Sequence, residues 1–589
     1  MKDQSIEGVR HSLAHLLAQT VKELFPGSQN AIGPIIENGF YQDFEIKGKI
    51  SEDDLPKIEE AMRAKLKAWT DVKKQEVSLA QAKEIFADNK YKIELAEEFA
   101  EGGKTLTVYT MGGFDDLCKG GHADNLSLID SASFHLTKTA GAYWRGDEKN
   151  IMLTRIYGVA FETKLKLDEY LKQQEMARER DHRKLGKELD LFTFSDLVGP
   201  GLPLFTPRGT TLRRLLIELM RQVGAKNGSQ EVQIPHIARK ELYEISGHAQ
   251  KFGGELFNVE SHYDIDFVMK PVNCPHHIQI FKSNPRSYKD LPIHYSEVTM
   301  QYRDEKPGQI GGLQRVRAIS VDDGHIFLAP DNIEEVIESF LSIIKEVHTA
   351  LGIYGDHWVS LSLRDPNKPE AYIGDDKDWQ VAESTLREIA AKRNLNAIPM
   401  EGEAALYGPK LDFMYKTVTG QETQLATIQL DFATPKRFEM VYIDKNGQQQ
   451  TPIMVHRAIL GSLERFLVML IEKTAGHFPF WLAPEQIRIV TVNDKVNDYV
   501  KRVQDVLSNV VLMQPLKFNE LRFSADLRKE NLGKKIKSAE ELKIPVIIIV
   551  GPKDEEAQTV SLRYFDGAET KEDKIPLTEL ANWMLKFNG

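Results

Sequence analysis

The chain has 589 residues, of which 41% are hydrophobic and 28% charged, with a formal net charge of −11. That length is too great for one core and predicts about three or four domains of a globular protein. No apolar run approaches the roughly 20 residues that span a bilayer, which argues against a membrane protein. The acidic balance excludes a coat of positive charge, though not a local basic surface such as Leu527–Lys537. Two cysteines argue against a disulfide framework and for a reducing compartment, and the first eleven residues lack the apolar core of a signal peptide. The cytoplasm is the default location.

Residues 9–24 repeat Val9, Leu13, Leu16, Leu17, Val21 and Leu24 at helical spacing. His11 and His15, four apart, share a face roughly opposite that apolar stripe, where core histidines are not expected. A Gly-rich segment downstream places Cys118 and His122 four apart. The two pairs could converge into a four-ligand zinc site or a hydrolytic pocket; the alternative is two solvated histidines and an unrelated buried cysteine. Residues 162–188 are highly charged without turn signals and predict one linking helix with a solvated face, hence a boundary near residue 160.

Residues 189–481 form the largest block. Leu212–Gly228 predicts an amphipathic helix, and Glu231–Ile237 a strand broken by Pro235. Cys274 is placed at a strand end beside Pro275. Residues 406–413 and 427–432 alternate like paired strands, and 454–472 predict one strong helix carrying His456 near its start and Arg465 within it. Neither a Walker A pattern nor a G-x-G-x-x-G after a strand occurs.

Within this block, Gln301–Phe327 reads as strand, Pro/Gly-rich loop and strand. A hairpin bearing Arg303, Glu305 and Arg315 suits a nucleotide, because guanidinium groups fork onto phosphate oxygens and a carboxylate accepts from an exocyclic amine. After residue 486 strands alternate with helices over about a hundred residues, predicting a compact α/β domain, with Ile544–Val550 a buried strand.

Three of these stretches together resemble the class II aminoacyl-tRNA synthetases, and within them the threonyl family. The strand ending at Pro235 is similar to the class's motif 1, the 301–327 hairpin to motif 2, and Gly461-Ser-Leu-Glu-Arg465 to motif 3. The resemblance implies an α+β multidomain fold. Its parts would be an editing domain over 1–160, a linker helix over 161–188, an antiparallel-sheet catalytic domain over 189–481, and an anticodon-binding α/β domain over 482–589. It implies threonine activation by ATP with Mg²⁺, transfer to tRNA(Thr), and a homodimer formed through the catalytic domain. Arg303 would hold the α-phosphate, Glu305 the adenine amine, Arg315 the far phosphates, and Arg465 the adenine face and γ-phosphate. Asp323 and Tyr407 would bind the threonine amino group, and Lys410, Gln424 and Gln429 match further active-site positions.

Cys274, His325 and His456 lie at the family's zinc-ligand positions, implying one Zn²⁺ per subunit that receives threonine's amino and hydroxyl groups. A site built to bind a hydroxyl rejects valine by about 10⁴ to 10⁵, whereas serine lacks only a methyl, worth roughly 1–3 kcal/mol. A second, hydrolytic sieve is therefore required. His11, His15, Asp116, Cys118 and His122 match the family's editing pocket, which is thought to act on Ser-tRNA without bound metal. Arg528, Lys529, Asn531, Lys535 and Arg563 are candidates for anticodon contacts.

Two positions depart from the family: Ile319 stands where a phenylalanine usually stacks on adenine, and Val321 where a glutamine is usual. The ubiquitin-like domain that commonly precedes the editing helix is expected to be absent. The rival readings are an inactive paralogue acting as an RNA-binding regulator and a zinc hydrolase using the N-terminal quartet alone.

Overall fold

The structure is a computed structural model and describes residues 5–587 apart from 71, 124, 126, 128, 264, 419 and 513–518. Two compact units partition the chain, Met1–Glu175 and Met176–Gly589. Among the described residues no helix is long and apolar enough to cross a membrane.

In the first unit, helix α1 (Ile6–Leu24) is capped by Ser5, whose hydroxyl accepts from the Gly8 amide. Its apolar stripe packs on Phe40 and Phe44 of strand β1 (Gly39–Glu45). A second sheet carries β2 (Leu106–Met111) and β3 (Phe114–Leu117) as an antiparallel pair. Strands β4 (Phe134–Tyr143) and β5 (Met152–Ala160) complete the sheet on which α1 lies. The histidine face of α1 is covered as well: the Cys118–Ala123 segment docks on it through the Ala123 amide, which donates to Gly8 O and Ser12 Oγ. His15 is therefore buried, contrary to the placement expected from the stripe alone.

The predicted single linking helix is two. Helix α2 (Lys164–Arg180) stops at Asp181, which caps α3 (His182–Glu188) by accepting from the Arg183 amide.

In the second unit, helix α4 (Pro207–Lys226) precedes an eight-stranded sheet. Its strands are β6 (Gln230–Glu231), β7 (Ile293–Tyr302), β8 (Ala318–Leu328), β9 (His357–Leu363), β10 (Ile398–Glu401), β11 (Lys410–Lys416), β12 (Glu422–Asp431) and β13 (Ile453–Ala458). The spatial order is β6-β7-β8-β13-β12-β11-β9-β10, antiparallel except at the two ends. The strand predicted over Glu231–Ile237 and broken at Pro235 is two short pieces, β6 and Ile237–Arg239, the latter pairing antiparallel with Phe267–Met269 in a separate small sheet.

Two local expectations are corrected. Cys274 opens helix α5 (Cys274–Lys282), with Pro275 in its first turn, where a missing amide costs nothing. His456 lies on β13, all six of whose residues are buried, and the helix α6 (Leu463–Thr474) starts only after Gly461. Gly461 turns the chain at φ +70°, and a Cβ there would sit 2.4 Å from Leu425 O.

The C-terminal sheet has its own core around Ile487, Val503, Val546 and Leu562. Strand β14 (Ile487–Thr491) lies between parallel neighbours β15 (Phe523–Asp526) and β16 (Val546–Val550), and β17 (Thr559–Phe565) and β18 (Thr570–Pro576) extend the sheet antiparallel.

Candidate functional site

Residues directly opposite one another in neighbouring strands project from the same face of a sheet. Across the centre of the large sheet, His325 pairs with His456, His456 with Gln429, and Gln429 with Lys410. One rank of the sheet thus delivers four of the sequence-selected residues to one side. Alternation along β8 adds Ile319, Val321 and Asp323 to that side. Of these, all but Lys410 line a cavity of about 260 Å³ together with Cys274, Arg303, Tyr407, Gln424 and Arg465.

Cys274, His325 and His456 are each buried, and one donor atom from each lies within 4.8 Å of the others. His456 Nε2 is 2.9 Å from Asp431 Oδ2, whose other oxygen accepts from the Ala433 and Thr434 amides. His325 Nδ1 is 2.7 Å from His277 Nδ1. One ring nitrogen of each histidine is therefore engaged by an outer partner and the other is left for a metal, the usual arrangement of ligand imidazoles. Burial, foremost, lowers the His325 pKa well below the ordinary value, which keeps a lone pair at neutral pH. Burial, with Asp323 and Asp431 nearby, pushes the Cys274 thiol well up, so that sulfur needs a cation beside it to ionise. One soft sulfur and two imidazoles suit Zn²⁺.

Asp323 accepts from Asn273 Nδ2 at 2.9 Å and Gln301 Nε2 at 3.4 Å, and burial raises its carboxyl. Tyr407 stacks on His456 with centroids 4.2 Å apart and donates its hydroxyl to Gln429. Lys410 is 2.9 Å from Asp412.

Arg303 and Glu305 lie just past the end of β7 in the loop to β8. The Arg303 guanidinium is over the Phe252 ring, 4.7 Å from its centroid. Burial, then the neighbouring Arg465, lowers the Arg303 pKa. Two half-buried like charges facing one cavity favour a polyanion between them. Glu305 pairs with Arg315 at 2.6 Å, and Arg465 Nε donates to Gln314 O. Beneath the site, Asp322 on the opposite face of β8 pairs with Arg457 at 2.6 Å and accepts from the Ile459 and Leu460 amides.

The first unit holds a second cluster. One donor atom each from His11, His15, Cys118 and His122 gather within 4.8 Å. Cys118 Sγ and His15 Nε2 each lie 3.3 Å from His11 Nε2, and His122 stacks on His11. Asp116 joins from β3 with its oxygens on His15 Nδ1 at 2.8 Å and Lys92 Nζ at 2.5 Å. Burial works against charge on His15, Asp116, Cys118 and His122. Hydrogen bonds from His11, His122 and His15 nevertheless bring the Cys118 thiol down to about 3, and Asp116 raises His15 to about 9. The result is a thiolate beside an imidazolium.

Sequence reasoning missed Lys92 and Asn30, whose amide also donates to Asp116. Lys92 reads as one more charge on a charged helix, and only its burial distinguishes it. His277 and Asp431 were also missed, since neither has a spacing signal.

Of the anticodon candidates, Arg528 pairs with Asp526, Arg563 with Glu540 and Glu572, and Lys529 is exposed. Asn531 caps helix α7 (Leu532–Glu541). Lys535 is turned inward, its Nζ on Thr491 O and Oγ1, and holds the helix to β14.

Comparison with known proteins agrees with this geometry. The profile "tRNA synthetase class II core domain (G, H, P, S and T)" matches residues 257–474, "Anticodon binding domain" matches 486–587, and "Threonyl and Alanyl tRNA synthetase second additional domain" matches 106–157. A threonine–tRNA ligase of Gloeobacter violaceus is 42% identical over 98% of this chain and 91% of its own length, and one of Rubrobacter xylanophilus is 43% identical over 94% and 85%. Among solved structures, the RNA binding domain of threonyl-tRNA synthetase from Cryptosporidium parvum aligns with TM-score 0.62 at 31% identity, covering 69% of this chain and 97% of that one. With three matched domains and such relatives along nearly its whole length, the chain belongs to the threonine–tRNA ligases, the threonyl family of class II aminoacyl-tRNA synthetases.

Proposed function

We propose that the chain activates threonine with Mg²⁺-bound ATP, transfers it to tRNA(Thr), and hydrolyses Ser-tRNA(Thr) in its first unit. The observation that supports the first part is one cavity shared by His325, His456 and Gln429 of the sheet rank, by Cys274, and by the half-buried Arg303 and Arg465. The work of adenylation is positioning and charge stabilisation. Arg303 receives the α-phosphate, Arg315 and Arg465 the outer phosphates, and Glu305 the adenine amine once Arg315 leaves it for phosphate. Ile319 covers the adenine. Asp323, held by Asn273 and Gln301, and Tyr407 take the threonine amino group, while Gln424 and Gln429 line the same cavity and Lys410 stands beside Gln429 on the sheet.

Cys274, His325 and His456 are the residues that would hold Zn²⁺, which when bound supplies an open Lewis-acid position for an amine and a hydroxyl.

In the first unit the Cys118–His15 ion pair, with His11, His122 and Asp116, orients water at the ester of mischarged tRNA. The organisation is an editing domain over 1–160, a linker over 161–188, a catalytic domain over 189–481 and an anticodon-binding domain over 482–589. Arg528, Lys529, Asn531 and Arg563 offer the anticodon contacts, and two copies associate through the catalytic domain.

The test is threonine-dependent ATP–pyrophosphate exchange followed by aminoacylation of tRNA(Thr) with threonine against serine. Exchange that does not depend on threonine would sink the assignment.

A further inference from the structure

The loop between β7 and β8 carries the nucleotide residues, and its tip, closed on itself by the Gly311–Arg315 bridge, is also held from outside the hairpin. His182, the first residue of α3, is buried beside it. Its Nδ1 lies 2.8 Å from Glu472 Oε1, and its Nε2 accepts from the Leu313 amide at 3.2 Å. A carboxylate on one nitrogen and an amide donor on the other leave only the Nδ1–H tautomer. Glu472 is buried, and among the described residues its hydrogen bonds all go to His182. Leu313 is fully buried. Gly312, next to it, has φ +52°, and a Cβ there would lie 2.3 Å from His182 Nε2. The backbone approaches the imidazole as closely as a glycine permits.

Glu472 and Arg465 lie on one helix, seven residues and about two turns apart, and so share a face of α6. That face grips the loop at two adjacent residues: Arg465 Nε at Gln314 O, and Glu472 through His182 at the Leu313 amide. Gln314 is further tied to Thr423 Oγ1 on β12 at 2.7 Å.

We propose that His182 and Glu472 form a clamp that fixes the loop tip and so sets Arg315 and Arg465 for the phosphates of ATP. His182 is a positioning residue reached from outside the class II motifs, and its role rests on the ATP reading of the loop. Because the clamp acts on the loop and not on the metal and amino-acid end of the cavity, it governs ATP and leaves threonine binding alone.

The experiment compares full-length wild type, His182→Ala, His182→Gln and Glu472→Gln. Two readouts are used: amide hydrogen exchange of residues 306–316, and KM for ATP and for threonine in pyrophosphate exchange. His182→Ala is expected to speed loop exchange and raise KM for ATP about tenfold, with KM for threonine unchanged, the loss of one well-placed hydrogen bond and its partner. His182→Gln retains an acceptor for the Leu313 amide and should recover part of both effects. If His182→Ala does not fold, Glu472→Gln, which weakens the grip on Nδ1, carries the same test with smaller changes. Unaltered loop exchange in a folded variant overturns the clamp, as does an equal rise in both KM values. Wild type without threonine-dependent exchange would instead overturn the ATP reading, while the loop measurement still judges the clamp.

Discussion

His15 Nδ1 lies 2.8 Å from Asp116 Oδ2 with both side chains buried, and this contact keeps His15 charged beside Cys118. Burial alone would strip the proton from His15; Asp116 restores it and raises the imidazole to about 9. His15 therefore contributes stability that is complete below its ordinary 6.5 and lost as pH rises through about 9. The Cys118 thiolate persists down to about pH 3. In the metal-free protein, alkylation of Cys118 by iodoacetamide should hold its rate from neutral to acid pH in wild type. In Asp116→Asn the midpoint should move up toward that of an ordinary thiol, and an unmoved profile would show that Asp116 does not govern the pair.

Removing the sulfur separates the two activities. Cys118→Ala is expected to leave threonylation of tRNA(Thr) at the wild-type rate and to let Ser-tRNA(Thr) accumulate. Deacylation of preformed Ser-tRNA(Thr) is the direct measurement, and an unchanged rate would remove Cys118 from the editing pocket.

The metal question has a cleaner readout than activity. Elemental analysis of purified variants should find zinc lost from Cys274→Ser and retained in His11→Ala. The Cys274 donor set is closed around by Asp431 and His277, whereas the first-unit quartet already satisfies its thiolate with imidazolium. The opposite pattern would move the metal to the first unit.

Ile319 lines the same cavity as Arg303 and Arg465, where it is proposed to cover adenine. Ile319→Phe should lower KM for ATP about fivefold, since aromatic stacking adds about 1 kcal/mol beyond simple coverage. Isothermal titration with a non-hydrolysable ATP analogue checks it, and equal affinities would show that the aliphatic cover suffices.

Asp322 and Arg457 form a pair 2.6 Å apart beneath the sheet, both nearly inaccessible. Asp322→Ala leaves Arg457 buried without its carboxylate and the Ile459 and Leu460 amides without an acceptor, and should cost about 3–5 kcal/mol. Denaturant titration measures it.

Much of the catalytic cleft was legible in the sequence because its signals are local. Alternation on either side of Pro307, Gly308, Gly311 and Gly312 revealed the hairpin, and of the runs 406–413 and 427–432 the parts 410–412 and 427–429 pair, while 406–409 is a turn. His456 was placed on a helix because Ile453–Ala458 is buried on both faces, and a continuous apolar run has no period with which to tell strand from helix. Cys274 carried an overlooked sign, Pro275, which suits the first turn of a helix. His182 and Lys92 were invisible for a different reason: each sits in a charge run that predicts a solvated face, and only tertiary packing buries them. The pairing of His325 with His277 depends on elements 48 residues apart and has no sequence period at all.

The rank that joins His325, His456, Gln429 and Lys410 also limits how this chain can change. A single-residue deletion within Ile453–Ala458 would turn His456 to the underside of the sheet and bring a neighbour to the cavity, whatever that neighbour's chemistry. Insertions are tolerable in the loops that join these strands, but the strands themselves must keep their phase. Length variation among functional relatives should therefore stop at the borders of β8, β11, β12 and β13.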